Sequence, residues 1–234
     1  MGRCLAIGDI HGCYTAFDAL LNEIKLGDDD VLVTLGDYVN RGPDTRKVIA
    51  RLLELEQSGC LVPLRGNHEI MILDSSLGKR EHRRWLQVGG KETLKSYSLK
   101  SDSKGNDSEA SIGDIPLSHW EFLRDRLLPY HETSTHLFVH ANAYPDMPMK
   151  DQPDYMLFWG KFNDPPRHES GKILVCGHTS QKSGMPRSNG NAICLDTWAF
   201  GGGWLSCLDV ATGQIWQANE KGKTRRFFLE EATP

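Results

Sequence analysis

The first 70 residues alternate short apolar runs with amphipathic stretches, and this alternation most constrains the fold. The apolar runs cover residues 4–7, 31–35 and 61–64. Between the first two, Phe17, Leu20, Leu21 and Ile24 recur at helical spacing, which predicts a helix over about 15–26. A second helix follows Pro43, a residue suited to a first helical turn. This β-α-β-α-β order predicts parallel strands joined by right-handed crossovers.

Five polar motifs follow apolar runs of this kind along the chain. They are Gly8-Asp9-Ile10-His11-Gly12, Gly36-Asp37-Tyr38-Val39-Asn40-Arg41-Gly42, Gly66-Asn67-His68-Glu69, His140-Ala141-Asn142 and Gly177-His178-Thr179. The carboxyl ends of strands in α/β sheets are where ligands bind. We therefore expect the polar side chains of the motifs to meet at one edge of the protein.

The remainder of the chain changes from helical to strand-rich. Residues 67–99 are predicted to be mostly helical with a break at Gly89-Gly90, and another helix is predicted over about 116–128. Strands are expected near 136–140, 172–176, 191–196, 204–210 and 213–217. The polar segment 100–114 is predicted to be an exposed loop. The prediction is an α/β protein in which two sheets pack together, flanked by helices, in a single domain over 1–234.

Composition excludes several other classes of protein. The chain has 234 residues, a net charge of -4 and no long basic stretch, so we expect no nucleic-acid partner. The basic cluster of residues 221–226 is interpreted as solvated surface. No segment is long and apolar enough for a membrane span or a signal peptide. The six cysteines include no Cys-x-x-Cys pair, which favours free thiols in a cytoplasmic protein.

The motifs supply a donor set suited to two divalent metal ions. Asp9 and His11 lie two residues apart after a strand, and Asp37 ends the next strand, where its carboxylate could bridge two cations. Mixed histidine, carboxylate and amide ligands favour manganese, iron, zinc or cobalt over magnesium or calcium. Two such ions at one site are typical of phosphoester hydrolysis. Arg41 has the planar fork that matches phosphate oxygens, and His68 could protonate a leaving alkoxide.

The order and separation of these motifs resemble the phosphoprotein phosphatase family of calcineurin-like metallophosphoesterases, over residues 4 to about 210. The compact length resembles the bacterial and phage members. The resemblance implies a four-layer α/β/β/α fold and two divalent ions, with manganese expected first. It implies that one ion is held by Asp9, His11 and Asp37 and the other by Asp37, Asn67, His140 and His178. It also implies that Arg41 and Asn67 contact the substrate phosphate and that His68 is the general acid.

Two positions depart from the family pattern. Asn40 stands where the family usually has an aspartate paired with the catalytic histidine. An amide can orient an imidazole but cannot stabilise an imidazolium as a carboxylate does, so we expect weaker general-acid help. Lys161 lies where phage-type relatives carry a second phosphate-binding arginine, and we expect it to act there as a point charge.

The resulting prediction is a phosphatase in which a metal-bridging hydroxide attacks phosphorus in line. Phosphoserine, phosphothreonine or phosphotyrosine proteins are the first choice of substrate, with small phosphoesters in the same class. A symmetrical bis(nucleosyl) tetraphosphate is the alternative, ranked second because no long helical insert is evident. The alternative from another class is a non-catalytic module that binds phosphorylated partners, for which Asn40 is the sole support in the sequence.

Overall fold

The computed structural model describes residues 2–98 and 111–232 and consists of two mixed β-sheets flanked by helices. The first sheet has the order β11-β10-β9-β1-β2-β3, and the second has the order β4-β5-β6-β8-β7. The strands are β1 Cys4–Ile7, β2 Val31–Thr34, β3 Leu61–Pro63, β4 Tyr130–Glu132, β5 His136–Val139, β6 Ile173–Cys176, β7 Arg187–Ser188, β8 Ala192–Cys194, β9 Leu205–Asp209, β10 Gln214–Ala218 and β11 Thr224–Phe228. This arrangement confirms the predicted fold class.

The α-helices lie mainly in the first half of the chain. They are α1 Tyr14–Ile24, α2 Thr45–Gln57, α3 Asn67–Asp74, α4 Lys79–Trp85, α5 Lys91–Tyr97, α6 Leu117–Glu121 and α7 Asp154–Trp159. A π-helical turn, Leu86–Gly90, joins α4 to α5 and contains the predicted break. None of the helices among the described residues has the length and apolar character that crossing a membrane requires.

Alternation along the strands builds three apolar layers. In β1, Leu5 and Ile7 pack with the helices α1 and α2, whereas Ala6 faces the second sheet. In β5, Phe138 faces the first sheet, and Leu137 and Val139 pack outward with α7. Because successive strand residues point to opposite faces, each sheet fills two layers at once. The order is therefore helices, sheet, sheet, helices.

Parallel pairing directs the predicted motifs to one rim. Strands β1, β2 and β3 are parallel neighbours in the first sheet, and β5, β6 and β8 are parallel neighbours in the second. All of these strands are followed at their carboxyl ends by loops. Four of the motifs lie in such loops, and the third spans the end of the loop after β3 and the first turn of α3.

The predicted loop at 100–114 falls partly outside the described residues. Residues 100–110 lie in the part of the chain that is not described. Residues 111–114 are described, and Ile112–Asp114 form a 3-10 turn closed by the Ser111 N–H donating to Asp114 Oδ2 at 2.6 Å. The described end of the predicted loop thus contains a short helical turn.

The basic cluster near the carboxyl end forms an edge strand. Residues 221–226 enter β11, which pairs with β10, and all six residues are exposed as predicted. Arg225 differs because its guanidinium lies 4.2 Å over the Trp204 ring and its Nε donates to Gln217 at 2.6 Å. Stacking on an aromatic ring stabilises this arginine without a carboxylate partner.

Candidate active site

The backbone of the motif loops adopts conformations that side chains rarely take. His11, Asp37, Asn40, Arg41 and His178 have φ between 46° and 72°. They are five of the eight non-glycine residues with positive φ in the described part of the chain. Such strain costs about 1–3 kcal/mol per residue and is typical of functional sites.

Two motif glycines leave room for the carboxylates. A Cβ on Gly66 would lie 2.2 Å from Asp37 Oδ1, and a Cβ on Gly177 would lie 2.0 Å from Asp9 Oδ1. Any side chain at either position would displace a buried acid. The site therefore requires glycine at both positions, because a side chain there would occupy the space of a carboxylate.

Asp37 is the centre of the arrangement. Its Oδ2 lies 3.4 Å from His11 Nε2, and its Oδ1 lies 3.5 Å from His140 Nε2. It belongs to two groups of closely spaced ring nitrogens and carboxylate oxygens, one with His11 and His68 and one with His140 and His178. Of these residues, His68 is the predicted general acid and not a predicted ligand. A carboxylate shared by two donor groups has the geometry of a bridging ligand.

Asn67 and Asp9 complete the predicted set from opposite sides. Asn67 Oδ1 lies 2.9 Å from both His140 Nε2 and His178 Nδ1. Asp9 accepts the backbone N–H of His178 at 3.0 and 3.1 Å and falls in neither of the two donor groups. The structure therefore gathers all six predicted residues at one rim, with Asp9 set against the His178 loop.

Backbone carbonyls fix the tautomers of two histidines. Nδ1 of His11 lies 2.9 Å from the Val39 oxygen, and Nδ1 of His140 lies 2.8 Å from the Leu35 oxygen. A carbonyl only accepts, so both rings carry their hydrogen on Nδ1 and turn the Nε2 lone pair toward Asp37. Metal-binding histidines are oriented by contacts of this kind.

The electrostatics of the site suit cations. Burial raises the pKa of Asp37 to about 7, and burial together with Asp196 and Asp37 raises the pKa of Asp9. Burial lowers the pKa of His140 to about 4 and that of His178 to about 3. Neutral imidazoles and carboxylates with converging lone pairs form a donor set that fits divalent metal ions, because a cation compensates the acids and needs the imidazoles unprotonated.

Arg41 and Lys161 border an open cleft of about 310 Å³ beside this cluster. The cleft is lined by Asp37, Arg41, Asn67, His68, Lys161, His178, Thr179 and Ser180. Lys161 therefore lies in the same cleft as the other phosphate-binding candidates, Arg41 and Asn67. Its ammonium group has no fixed partner among the described hydrogen bonds and ion pairs.

Phe200 is a site residue that sequence reasoning missed. The Arg41 guanidinium lies 4.4 Å from the centre of the Phe200 ring, and that ring also meets His11 edge-on at 5.0 Å. An aromatic face attracts a guanidinium without occupying its hydrogen-bond donors. The Gly-rich segment 201–203 marks a turn, but nothing in the sequence shows that the turn brings a ring under Arg41.

Asp196 is a second residue that was missed as part of the site. It is buried, accepts Ser180 Oγ at 2.6 Å and the Trp198 N–H at 3.0 Å, and has a pKa raised by burial. It lies close enough to Asp9 to raise the pKa of that acid. It adds negative charge behind the donor cluster.

Glu69 connects the second motif to the third. Its Oε2 accepts the N–H groups of Asp37 and Gly66 at 2.8 and 2.9 Å, and its Oε1 accepts those of Tyr38 and Val39 at 2.8 and 3.2 Å. Burial raises the pKa of Glu69 to about 8, and the backbone donors oppose that rise. Because every lone pair of the carboxylate faces an N–H group, the ionised form is the one that fits.

Replacing Glu69 with glutamine is expected to destabilise the protein by about 3 kcal/mol, since an amide NH2 would then face backbone donors in a buried site. Urea denaturation of the metal-free protein measures the loss. Glu92→Gln, on the exposed face of α5, is the matched control and should change stability by less than about 0.5 kcal/mol. Equal stability of the two variants would contradict the role given to Glu69.

Comparisons with known proteins agree with this geometry. A family described as calcineurin-like phosphoesterase matches residues 2–203. The chain is 33% identical to a symmetrical bis(5'-nucleosyl)-tetraphosphatase of Nitrosospira multiformis, with 95% of this chain and 98% of that protein covered. It is 38% identical over 85 residues to serine/threonine-protein phosphatase 1 of Salmonella typhimurium.

Coverage differs strongly among the relatives. The chain spans about a third of the length of the Salmonella protein, at 37%, and of a tetraphosphatase from Acidovorax, at 32%. Among solved structures, a putative diadenosine tetraphosphatase superposes with a TM-score of 0.63 at 20% identity, covering 97% of this chain and 93% of that one. A serine/threonine phosphatase from Saccharomyces cerevisiae superposes with a TM-score of 0.59 at 14% identity, with 97% and 79% covered.

These structural likenesses show the fold, and the family match extends over most of the sequence, including all six predicted donor residues. The resemblance inferred from the motifs is thereby confirmed, and the chain belongs to the calcineurin-like phosphoesterase family, whose members use divalent metals.

Proposed function

We propose that the protein is a two-metal phosphatase that hydrolyses phosphomonoesters, with phosphorylated proteins as the first candidate substrates. The observation that carries the proposal is Asp37, shared between two donor groups at the floor of a cleft that also presents Arg41 and His68. Two divalent ions held there by the six donor residues would supply a water of lowered pKa and neutralise phosphoryl charge.

The protein side chains would bind and orient the phosphate. Arg41, supported from below by Phe200, offers two N–H donors to phosphoryl oxygens, and Lys161 offers a positive charge from the other part of the cleft lining. His68 Nε2 lies 4.0 Å from Asp37 Oδ2 in the lining of the cleft, where it would donate to the leaving oxygen. Asn40 orients the His68 ring through a contact of 2.7 Å to Nδ1.

The openness of the cleft supports a phosphoprotein substrate. A volume of about 310 Å³ holds a phosphoryl group and the first atoms of its leaving group, so the remainder of the substrate would lie outside. The local similarity to the Salmonella serine/threonine-protein phosphatase 1, over 85 residues, also supports this choice.

A symmetrical bis(nucleosyl) tetraphosphate is the second candidate. It is favoured by the alignments with tetraphosphatases from Nitrosospira multiformis and Neisseria gonorrhoeae, which extend over 95% and 93% of this chain. The same donor groups would act on an anhydride bond, since the attacked atom is again phosphorus.

The test uses metal-free protein reconstituted with manganese. Phosphate release is measured on phosphopeptides, and ADP formation is measured on diadenosine tetraphosphate in parallel, because symmetrical cleavage of the dinucleotide yields two ADP and no phosphate. Preference for phosphopeptides supports the proposal. Preference for the dinucleotide assigns the second function, and hydrolysis of neither substrate supports the non-catalytic binding module.

Replacing Lys161 with alanine is expected to raise KM for phosphomonoesters about three- to tenfold with kcat little changed, because Lys161 contributes charge at the cleft edge rather than at the reacting atoms. Steady-state kinetics on one phosphopeptide measures both constants. Lys150→Ala removes another exposed lysine outside the cleft lining and serves as control. An unchanged KM would remove Lys161 from the substrate-binding set.

A further inference from the structure

The Asn40 side chain is buried and hydrogen-bonded at both ends. Its Oδ1 lies 2.9 Å from Trp85 Nε1 and 2.9 Å from Thr93 Oγ1, and its Nδ2 lies 2.7 Å from His68 Nδ1. Asn40 and Thr93 are 0% exposed, and Trp85 is 1% exposed. No water competes for these contacts, so their donor and acceptor assignment is determined by the groups themselves.

Two donors decide which end of the amide faces His68. The indole N–H of Trp85 can only donate, so the atom opposite must be the amide oxygen. Thr93 Oγ1 already accepts the backbone N–H of Asn40 at 2.8 Å, which leaves its hydroxyl hydrogen for the same oxygen. The NH2 group of Asn40 therefore points at His68 Nδ1.

This orientation sets the tautomer of His68. A ring nitrogen that receives an N–H donor must carry a lone pair, so the His68 hydrogen lies on Nε2, toward the cleft. Arg41 Nη2 also lies 3.0 Å from His68 Nε2, and a neutral imidazole cannot accept at both nitrogens. The Arg41 side chain is long and exposed, whereas the contacts of Asn40 are buried. The Arg41 contact to His68 Nε2 is therefore the one that is not kept.

The π-helical turn between α4 and α5 makes this network possible. A Cβ on Gly90 would lie 2.6 Å from the Trp85 ring, and a Cβ on Gly89 would lie 2.4 Å from the Arg41 backbone nitrogen. The two glycines let the turn pack directly behind the second motif. They bring Trp85 and Thr93, on either side of the turn, to the same amide oxygen.

We propose that Trp85 and Thr93 are positioning residues that act through Asn40 to hold His68 with its hydrogen on Nε2, and that this arrangement favours aryl phosphomonoesters such as phosphotyrosine over alkyl ones such as phosphoserine. The substrate preference rests on the proposed function, whereas the assignment of the His68 tautomer does not depend on it.

The chemistry of the leaving oxygen explains the preference. The oxygen of water bonds to phosphorus, the bond from phosphorus to the leaving oxygen breaks, and its electron pair stays on that oxygen. The neutral Nε2–H group of His68 can donate a hydrogen bond to this oxygen, but full transfer of its proton would leave an imidazolate. The leaving anion therefore takes its proton from solvent. The proton of the attacking water is lost to solvent. A phenoxide, whose parent phenol has a pKa of about 10, departs without protonation by His68 far more readily than the alkoxide of serine.

The first experiment reads the tautomer directly. Nitrogen-15 NMR of histidine-labelled, metal-free protein, with His68 assigned through His68→Gln, should show an unprotonated Nδ1 in the natural sequence. Asn40→Asp should move the hydrogen to Nδ1, and Trp85→Phe should give a mixture because one of the two orienting donors is gone. Thr93→Ser keeps the donating hydroxyl group and should leave the natural signal unchanged. The matched control is Trp120→Phe, which replaces a tryptophan outside the network. A hydrogen on Nδ1 in the natural sequence overturns the proposal.

The second experiment compares phosphotyrosine and phosphoserine in one peptide sequence with the manganese-loaded enzyme. Asn40→Asp should raise the relative rate on phosphoserine about a hundredfold, at the low end of general-acid contributions. An unchanged ratio overturns the link between tautomer and substrate preference. Absence of turnover on both peptides overturns the proposed function and the preference that rests on it, while the NMR result still decides the tautomer. Asn40→Asp also keeps the proposal testable if Trp85→Phe fails to fold.

Discussion

Asp37→Asn is expected to lower kcat on any phosphoester substrate by about a thousandfold or more, which corresponds to the several kcal/mol of transition-state stabilisation that metal ions supply. The substitution keeps the size of the side chain and removes its charge. Asparagine also tolerates the positive φ of 53° at this position, so the backbone should not change. Because Asp37 faces both donor groups, we expect the variant to retain one metal ion in place of two.

Metal content after dialysis, measured together with kcat, separates this expectation from simple unfolding. Asp28→Asn, an exposed aspartate beyond α1, is the matched control and should keep two ions and full activity. Two tightly bound ions in Asp37→Asn would show that Asp37 is not a bridging ligand, even if the rate falls.

The sequence predicts the strands and helices that carry strong patterns and misses the short or charged ones. The strands before the motifs, the helix α1 and the break at Gly89-Gly90 are confirmed. The strands β4, β7 and β11 and the helix α7 were not predicted. Strand β11 contains Arg225 and Arg226, and charge on an edge strand hides its period-two pattern. The six residues of α7 give too little periodicity to be recognised.

The residues of the candidate site likewise fall into those that the sequence predicts and those that it misses. Its donor residues lie in motifs directly after strands, so parallel pairing within each sheet, together with the predicted packing of the two sheets, brings them together. Glu69, Trp85 and Phe200 depend on how distant loops pack, and no local pattern reports those contacts. The helical spacing around Trp85, for example, predicts a buried face but not a buried acceptor for its indole N–H.

The sequence also left the consequence of Asn40 open. The amide could have been solvated or could have turned either end toward His68. Only the positions of Trp85 and Thr93 decide between these, and both lie more than 40 residues further along the chain. A departure from a family motif therefore has a defined chemical meaning only once its buried neighbours are known.

Removal of divalent metal by a chelator is expected to abolish hydrolysis, and manganese should restore it. Metal binding should also stabilise the fold, by about 3 kcal/mol when free manganese is a hundredfold above its Kd. For a protein of this length that corresponds to a rise in Tm of roughly 5–10 °C. Full activity and unchanged Tm after chelation would contradict a metal-dependent site.

This stabilisation should increase from pH 6 to pH 8. In the metal-free protein burial raises the pKa of Asp37 from 3.8 to about 7, so the stability from its protonated form is lost as pH rises through about 7. His140 and His178 have lowered pKa values and act in the opposite direction, but their contribution is complete above their unfolded value of 6.5. Above pH 6.5 the buried acids therefore set the slope, and bound cations compensate them once they ionise. Thermal unfolding with and without manganese at pH 6, 7 and 8 measures the difference, and a Tm gain that shrinks toward pH 8 would show that the buried acids are not the metal ligands.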